Sequence, residues 1–519
     1  MIRLKKTASG QKRTERASRD RPSRRTRLGF EPLESRYLLA SMAWTGGDGL
    51  LWHNPANWVE VGTAPPVHRV PGAGDDVTIG AGAQIYADSD VTIRSGAVQS
   101  GGSLQFAGNL TVSDGLANAG TIKFGSRHDQ ILTVSHGTFL NTGNLTYHGG
   151  DYNGAIFAKL ENLGTISESL GYLRINTAGE GIIDPQPVDP AFTFVNAGVI
   201  DLSNGAHCYT GGILNPHDLG AIHGNGYLAI QTVDWILDAD WILPTTSVVL
   251  GLNASAVAGA GTLTVPKTQI IALAAGSVID VNLVNHGTLI GLTASTINGQ
   301  LELPDDSTLT LGFDALPFPS QFPVNEHFDP PVSLALTVTK GFTNYGTISL
   351  FDTSLGSTLN VTNGTLANAQ GGIISSSRGY DSGGTGNILN ADLDNRGTLA
   401  VGGSDLTIAR GFTNHGTIDM SLASPHWTDL SVTNGTLVNA AGATITCQGT
   451  GIQSGASLTA QVDNQGTINV SASQLAVNPD WAPTHNRSWT FTNTGVIHTD
   501  NDGVRSEEHT SELQSHHPI

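Results

Sequence analysis

Leu116-Ala117-Asn118-Ala119-Gly120-Thr121-Ile122 is the stretch whose reading decides the fold. Its pattern is an apolar residue, one variable residue, Asn, a second variable residue, Gly, then Thr, Val or Asn, and Ile or Leu. The same pattern returns around Asn141, Asn162, Asn196, Asn285, Asn344, Asn395, Asn414, Asn464 and Asn493. Two further copies carry one inserted residue, Asn368-Ala369-Gln370-Gly371-Gly372-Ile373 and Asn439-Ala440-Ala441-Gly442-Ala443-Thr444-Ile445. From Asn344 onward the successive intervals are 24, 27, 19, 25, 25 and 29 residues, the length of one solenoid coil.

The residues flanking the motif alternate, as in Leu-Thr-Val or Ile-Asn-Val, so one face of each short strand points inward and the other to solvent. Asn-x-Gly is expected to turn the chain at every coil, with Gly reaching positive φ and Asn tolerating it. Stacked coils place equivalent Asn residues about 5 Å apart, the spacing of neighbouring strands, where their amides can form a ladder. This predicts an all-β, right-handed parallel β-helix over residues 81–497 with one continuous core, in which no coil is stable alone.

A longer period lies on the short one. Gly341-Phe342-Thr343-Asn344 recurs as Gly411-Phe412-Thr413-Asn414, and Val361-Thr362-Asn363-Gly364 as Val432-Thr433-Asn434-Gly435, at offsets of 70 and 71 residues. Residues 341–410 and 411–480 therefore read as a duplicated block. Between Asn196 and Asn285 the motif fades, although Gly224-Asn225-Gly226 and Gly259-Ala260-Gly261 fall where degenerate coils would turn, and the helix is read as continuous there. Residues 315–332 are too Pro-rich for a ladder strand and read as a loop excursion, either a ligand-binding insertion or a passive surface loop.

Composition supports this class. Gly at 64 residues and 13% charged residues describe turns and short apolar strands, not charged amphipathic helices. Residues 1–29 hold 11 Lys or Arg against Glu15 and Asp20, which leaves 14 basic and 42 acidic groups in the remainder. An acidic body repels phosphate backbones, so nucleic acid is excluded as a partner of the folded part. Cys208 and Cys447 show no ligand spacing and read as small buried residues. There is no run of 18 apolar residues to span a membrane.

Near the N-terminus, Leu33-Glu34-Ser35-Arg36-Tyr37-Leu38-Leu39 follows the basic stretch. It resembles the LEPR-xLL tag of large planctomycete surface and secreted proteins. Leu33, Glu34, Arg36, Leu38 and Leu39 match that motif, and Ser35 stands where the family has Pro. The resemblance implies that residues 1–43 are a sorting leader and that the protein is secreted or displayed at the cell surface. The apolar stretch after Arg36 is shorter than an ordinary signal-peptide core, and a basic arm without an export role is the competing reading.

Residues 44–80 contain Trp44-Thr45-Gly46, Trp52-His53-Asn54-Pro55-Ala56-Asn57-Trp58 and Pro71-Gly72-Ala73-Gly74-Asp75-Asp76-Val77. This is similar to the Trp-rich opening found before β-helix repeats in bacterial surface and autotransporter-like proteins. The resemblance implies an entry cap, and three Trp residues can seal an apolar channel and an unpaired strand edge. A sugar-stacking platform of Trp44, Trp52 and Trp58 is the alternative. At the other end, Arg505-Ser506-Glu507-Glu508-His509-Thr510-Ser511-Glu512-Leu513-Gln514-Ser515 looks like an in-frame translation of a common sequencing-library adapter. Residues 505–519 are set apart from the fold on that ground, 498–504 read as an interrupted coil, and the natural protein is expected to continue beyond Val504.

Parallel β-helices include polysaccharide lyases and hydrolases, whose chemistry needs carboxylates grouped on neighbouring coils, about 5 to 9.5 Å apart in glycosidases. Asp75-Asp76, Asp305-Asp306 and Asp500-Asn501-Asp502-Gly503 do not recur at coil spacing and read as turn formers. His286 and His415 occupy the variable position of the motif and read as exposed. No nucleophile elbow, phosphate loop, metal set or cofactor motif is found. The expectation is a non-catalytic monomer without cofactor, structural or adhesin-like, with surface glycans or other envelope components as partners. A carbohydrate-active β-helix enzyme and a passive spacer within a larger protein are the other readings.

Overall fold

The computed structural model describes residues 40–499 apart from 126–127, 151, 178–188, 190, 214, 313–333, 353–355, 379–385, 403, 422–427, 450–454, 472–473, 480–485 and 487. The LEPR-xLL-like residues Leu33, Glu34, Arg36, Leu38 and Leu39, the excursion 315–332, Asp500–Gly503 and residues 505–519 lie outside the described residues.

Short strands of three to five residues form because apolar and polar residues alternate and Gly-containing corners interrupt them. Leu116–Asn118 shows the alternation directly, with its two ends buried and its centre exposed. Each strand pairs in parallel with the equivalent strand of the coil above and below, as Leu116, Ala117 and Asn118 do with Phe139, Leu140 and Asn141. The described residues thus form a parallel β-solenoid, with no α-helix and two short 3₁₀ turns, Pro55–Asn57 and Pro216–Leu219.

Among the described residues one sheet of eighteen strands runs from Val91–Ile93 to Val496–Thr499. The other walls change partway along. Up to Phe194–Asn196 and Ala221–Gly224 they are sheets of eight and seven strands. From Asp234–Leu237 and Trp241–Ile242 they are replaced by sheets of thirteen and four strands, and the longest strands, Ser357–Asn368 and Thr428–Asn439, turn a corner within themselves. The stretch in which the motif fades is where this exchange of walls takes place. The long sheet continues across it, Tyr227–Gln231 pairing with Val249–Asn253 and that strand with Ile270–Ala274.

Inside lies one apolar cluster, extending from Ala40 to Val470. Its first layer is the entry segment. Ser41–Trp44 pairs antiparallel with Trp58–Glu60 and parallel with Asp76–Ile79, so coil pairing begins inside the segment read as a cap. Trp52 and Trp58 are fully buried, their rings edge-to-face at 4.6 Å, and Trp58 Nε1 donates to the Trp52 carbonyl at 2.7 Å. Trp44 packs edge-on against Trp58 at 4.9 Å. Two of the three rings have no face left for a sugar, and the cluster closes the core.

The motif glycines correct one expectation except in the two inserted copies, where Gly371 and Gly442 do stand at positive φ. None of Gly120, Gly143, Gly164, Gly198, Gly397, Gly416 or Gly495 is among the residues at positive φ. Their requirement is room: a Cβ on Gly416 would sit 2.1 Å from the carbonyl oxygen of Gly397 in the preceding coil, and one on Gly198 2.1 Å from that of Gly164. Gly416→Ala should therefore destabilise the fold by about 3 kcal/mol, as overpacking against backbone does. Gly402→Ala, whose nearest neighbour would be the Ser421 oxygen at 3.5 Å, should stay within about 0.5 kcal/mol in the same denaturant melts.

Candidate functional site

The residues singled out by the repeat form two buried asparagine columns. In the first, Nδ2 of Asn118 donates to Oδ1 of Asn141, Asn141 to Asn162, and Asn162 to Asn196, each at 2.6 Å. Asn196 ends the column on the Leu219 carbonyl at 2.5 Å. In the second, Asn344, Asn368, Asn395, Asn414, Asn439, Asn464 and Asn493 are linked in the same sense at 2.5 to 2.9 Å.

The backbone repeats the arrangement beside each side chain. In the uninserted copies within a column the amides of the variable residue and of Gly both donate to the Asn carbonyl of the coil below, as His415 and Gly416 do to Asn395 at 2.7 and 3.0 Å; in the inserted copies only the Ala369 and Ala440 amides do so, to Asn344 and Asn414. The variable side chain itself faces solvent, and His415 is exposed.

The two columns occupy different corners. After Asn118 the chain enters the seven-stranded sheet at Thr121–Phe124, whereas after Asn344 it enters the long sheet at Thr347–Asp352. Asn285 stands at the second corner, outside the linked amides. Its Nδ2 reaches the Thr308 carbonyl at 3.0 Å, and Leu303 bridges to Asn344 where a further Asn would continue the column. Oδ1 of Asn344 is accordingly buried without a hydrogen-bond partner.

The carboxylate pairs are dispersed. Asp75 is buried against Arg69, with contacts of 2.5 and 2.6 Å, and accepts from the Gly72 amide at 2.8 Å. Burial pushes its pKa up, but the guanidinium and the amide outweigh burial and hold it below the ordinary carboxylate value. Asp76 bonds Arg94 and Ser95. Asp305 and Asp306 are exposed, Asp306 lying 3.2 Å from His286. Among the described residues no group of three or more His, Cys, Asp or Glu is placed to hold a metal ion. Cys208 and Cys447 are buried in the core.

Sequence reasoning missed an ionisable cluster in the strands before the exchange of walls. Glu168 points inward, fully buried, at the level of Tyr147 and Leu202 in the coils on either side. Neither carboxylate oxygen makes a hydrogen bond of normal geometry. Desolvation raises its pKa well above the ordinary value, more than the nearby Leu173 and His207 amides lower it. On the outer face of the long sheet, Tyr172, His207, Tyr209 and Tyr227 stack at centroid distances of 5.3 to 6.5 Å, and the Arg174 guanidinium lies 4.9 Å from the Tyr209 ring centre. Burial lowers the His207 pKa to about 4 and pushes the Tyr209 hydroxyl up to about 12. The only hint in the sequence was polar residues at inward or aromatic residues at outward strand positions, and it requires the register.

No family model, curated protein or solved structure matches this chain.

Two predictions follow the geometry. Asn414→Ala and Asn439→Ala each leave buried amide or carbonyl partners unsatisfied in neighbouring coils and should cost about 1 to 3 kcal/mol, non-additively in the double variant, while His415→Ala should stay within about 0.5 kcal/mol. Equal, small effects in denaturant melts would reduce the column to a turn signal.

The second concerns pH. The folded-state pKa of Glu168 is raised, so its contribution is fully present below about 4.5 and is lost as pH rises from there toward the folded value. His207 acts oppositely, its contribution being lost as pH falls from about 6.5 through about 4. Glu168→Gln should raise Tm at pH 8 by more than at pH 4; an equal change at both would show that the carboxyl ionises freely.

Proposed function

We propose that this chain is a secreted or cell-surface structural module of adhesin type, whose work is to hold outer faces in a fixed, repeating array against envelope components. The observation that supports this is the single core beneath one continuous sheet from Val91–Ile93 to Val496–Thr499. Coils that couple only to their neighbours make a stiff, extendable body, and such a body serves display or adhesion.

A carbohydrate-active enzyme is the second reading. It is favoured by the half-buried outer side chains Tyr172, Arg174 and Tyr209 beside the buried His207, where the guanidinium would receive an acidic sugar. The purified full chain should retain isolated cell-envelope material or arrayed glycans and release no product from pectin or alginate, with or without calcium. Turnover abolished by Arg174→Gln, or by substitution of Asp305 or Asp306, would replace the structural reading with the enzymatic one.

A further inference from the structure

The outer face of the long sheet carries, in its later coils, a pattern that packing does not require. Thr347, Ile373, Thr398, Thr417, Thr444 and Thr467 stand directly opposite one another in successive strands. Two residues along each strand lies a second file, Ser349, Ser375, Ala400, Asp419, Thr446 and Asn469. No register shift interrupts these pairings. The files form a lattice of about 4.8 Å between coils and about 6.6 Å along the strands.

The lattice is open and unspent. Its side chains are half-exposed, with Ile373 more so, whereas outward Val249, Ala272 and Ile290 earlier in the same sheet are buried in an apolar cluster. Among the described residues, the hydroxyls of Thr347, Thr398, Thr417, Thr444 and Thr467 make no hydrogen bond within the chain, while Ser375 bonds Ser349 at 3.1 Å.

Charge is also displaced from it. Asp419 is the single charged group in the two files, and its carboxylate accepts from the Ser421 amide at 2.9 Å. The adjoining face bears Lys340, Asp392, Asp394, Arg396 and Arg410, with Arg410 and Arg396 paired to Asp392 and Asp394 at 2.9 Å. An acidic protein usually spreads charge over its surface for solubility. A periodic, nearly uncharged hydroxyl lattice matches a ligand that is itself periodic, neutral and rich in hydroxyl groups.

We propose that this lattice is the docking face for a neutral polysaccharide, whose extended chains exchange hydrogen bonds with successive threonines. The inference rests on the adhesive reading above and names its ligand class. Hydroxyl pairs give direct bonds without desolvating a charge, each of modest net value, so affinity comes from repetition over many coils. The surrounding acidic body disfavours uronate polymers.

The test is depletion of the full-length chain onto microcrystalline cellulose and onto chitin, with a polygalacturonate gel as the acidic comparison and light scattering in parallel. The wild-type chain should deplete onto a neutral polymer and not onto the gel. Thr417→Lys with Thr444→Lys should weaken that binding at least tenfold at unchanged Tm, while Thr407→Lys, on the neighbouring wall, should leave it within twofold. Equal binding by the lattice variant overturns the assignment, as does wild-type failure on both neutral polymers. A wild-type dimer that the lattice variant converts to monomer would assign the face to a second copy of the chain. Retention of envelope material that is indifferent to the lattice variant would overturn the lattice alone and leave the adhesive reading standing.

Discussion

Everything in this solenoid depends on how closely one coil lies on the next at the Asn-x-Gly corner. There the Asn carbonyl of one coil receives two backbone amides from the coil above, or one where that coil carries the inserted residue, while the Asn side chain hands its own amide along the column. In the uninserted copies the approach leaves no room for a Cβ, since one on Gly416 would meet the Gly397 carbonyl oxygen at 2.1 Å. Apart from Oδ1 of Asn344, where the second column starts, the corner asparagine groups that would otherwise be buried and unpaired are engaged in the linked coils, which is what permits a corner to be dry.

That constraint explains the irregular parts. Where the walls are exchanged, between Phe194–Asn196 and Asp234–Leu237, the corner geometry cannot be kept and the column stops on the Leu219 carbonyl. When it resumes it does so at another corner, next to the long sheet, and Leu303 separates Asn285 from the linked run. The orphaned Oδ1 of Asn344 is the local cost of starting a column against an apolar neighbour.

The corner also decides what the outside looks like. Because Gly is followed by Thr in most copies, the residue that opens each strand of the long sheet from Thr347–Asp352 onward is β-branched, stacked and turned outward, and the repeat that binds the coils together lays a hydroxyl file beside them. In the middle coils the same outward positions hold Tyr227, Val249, Ala272 and Ile290, and the face is apolar and buried. One sheet thus carries two surfaces of opposite character.

The sequence by itself determined the solenoid, because the Asn-x-Gly period and the strand alternation are local properties that repeat. It also determined the identity of the column asparagines, Asn285 excepted, and the sealing role of Trp52 and Trp58. Three things were decided only by the tertiary structure. In the uninserted copies the motif glycines are required for space and not for positive φ, since the clash involves a residue of another coil; only Gly371 and Gly442, in the two inserted copies, stand at positive φ. The asparagines fall into two columns, because which corner an Asn occupies depends on the walls around it and not on its own neighbours in sequence. Glu168 and the Tyr172–His207–Tyr209–Tyr227 face became visible only once inter-coil register assigned inward and outward positions. Residues twenty or more positions apart come into contact through stacking, and no single coil records it.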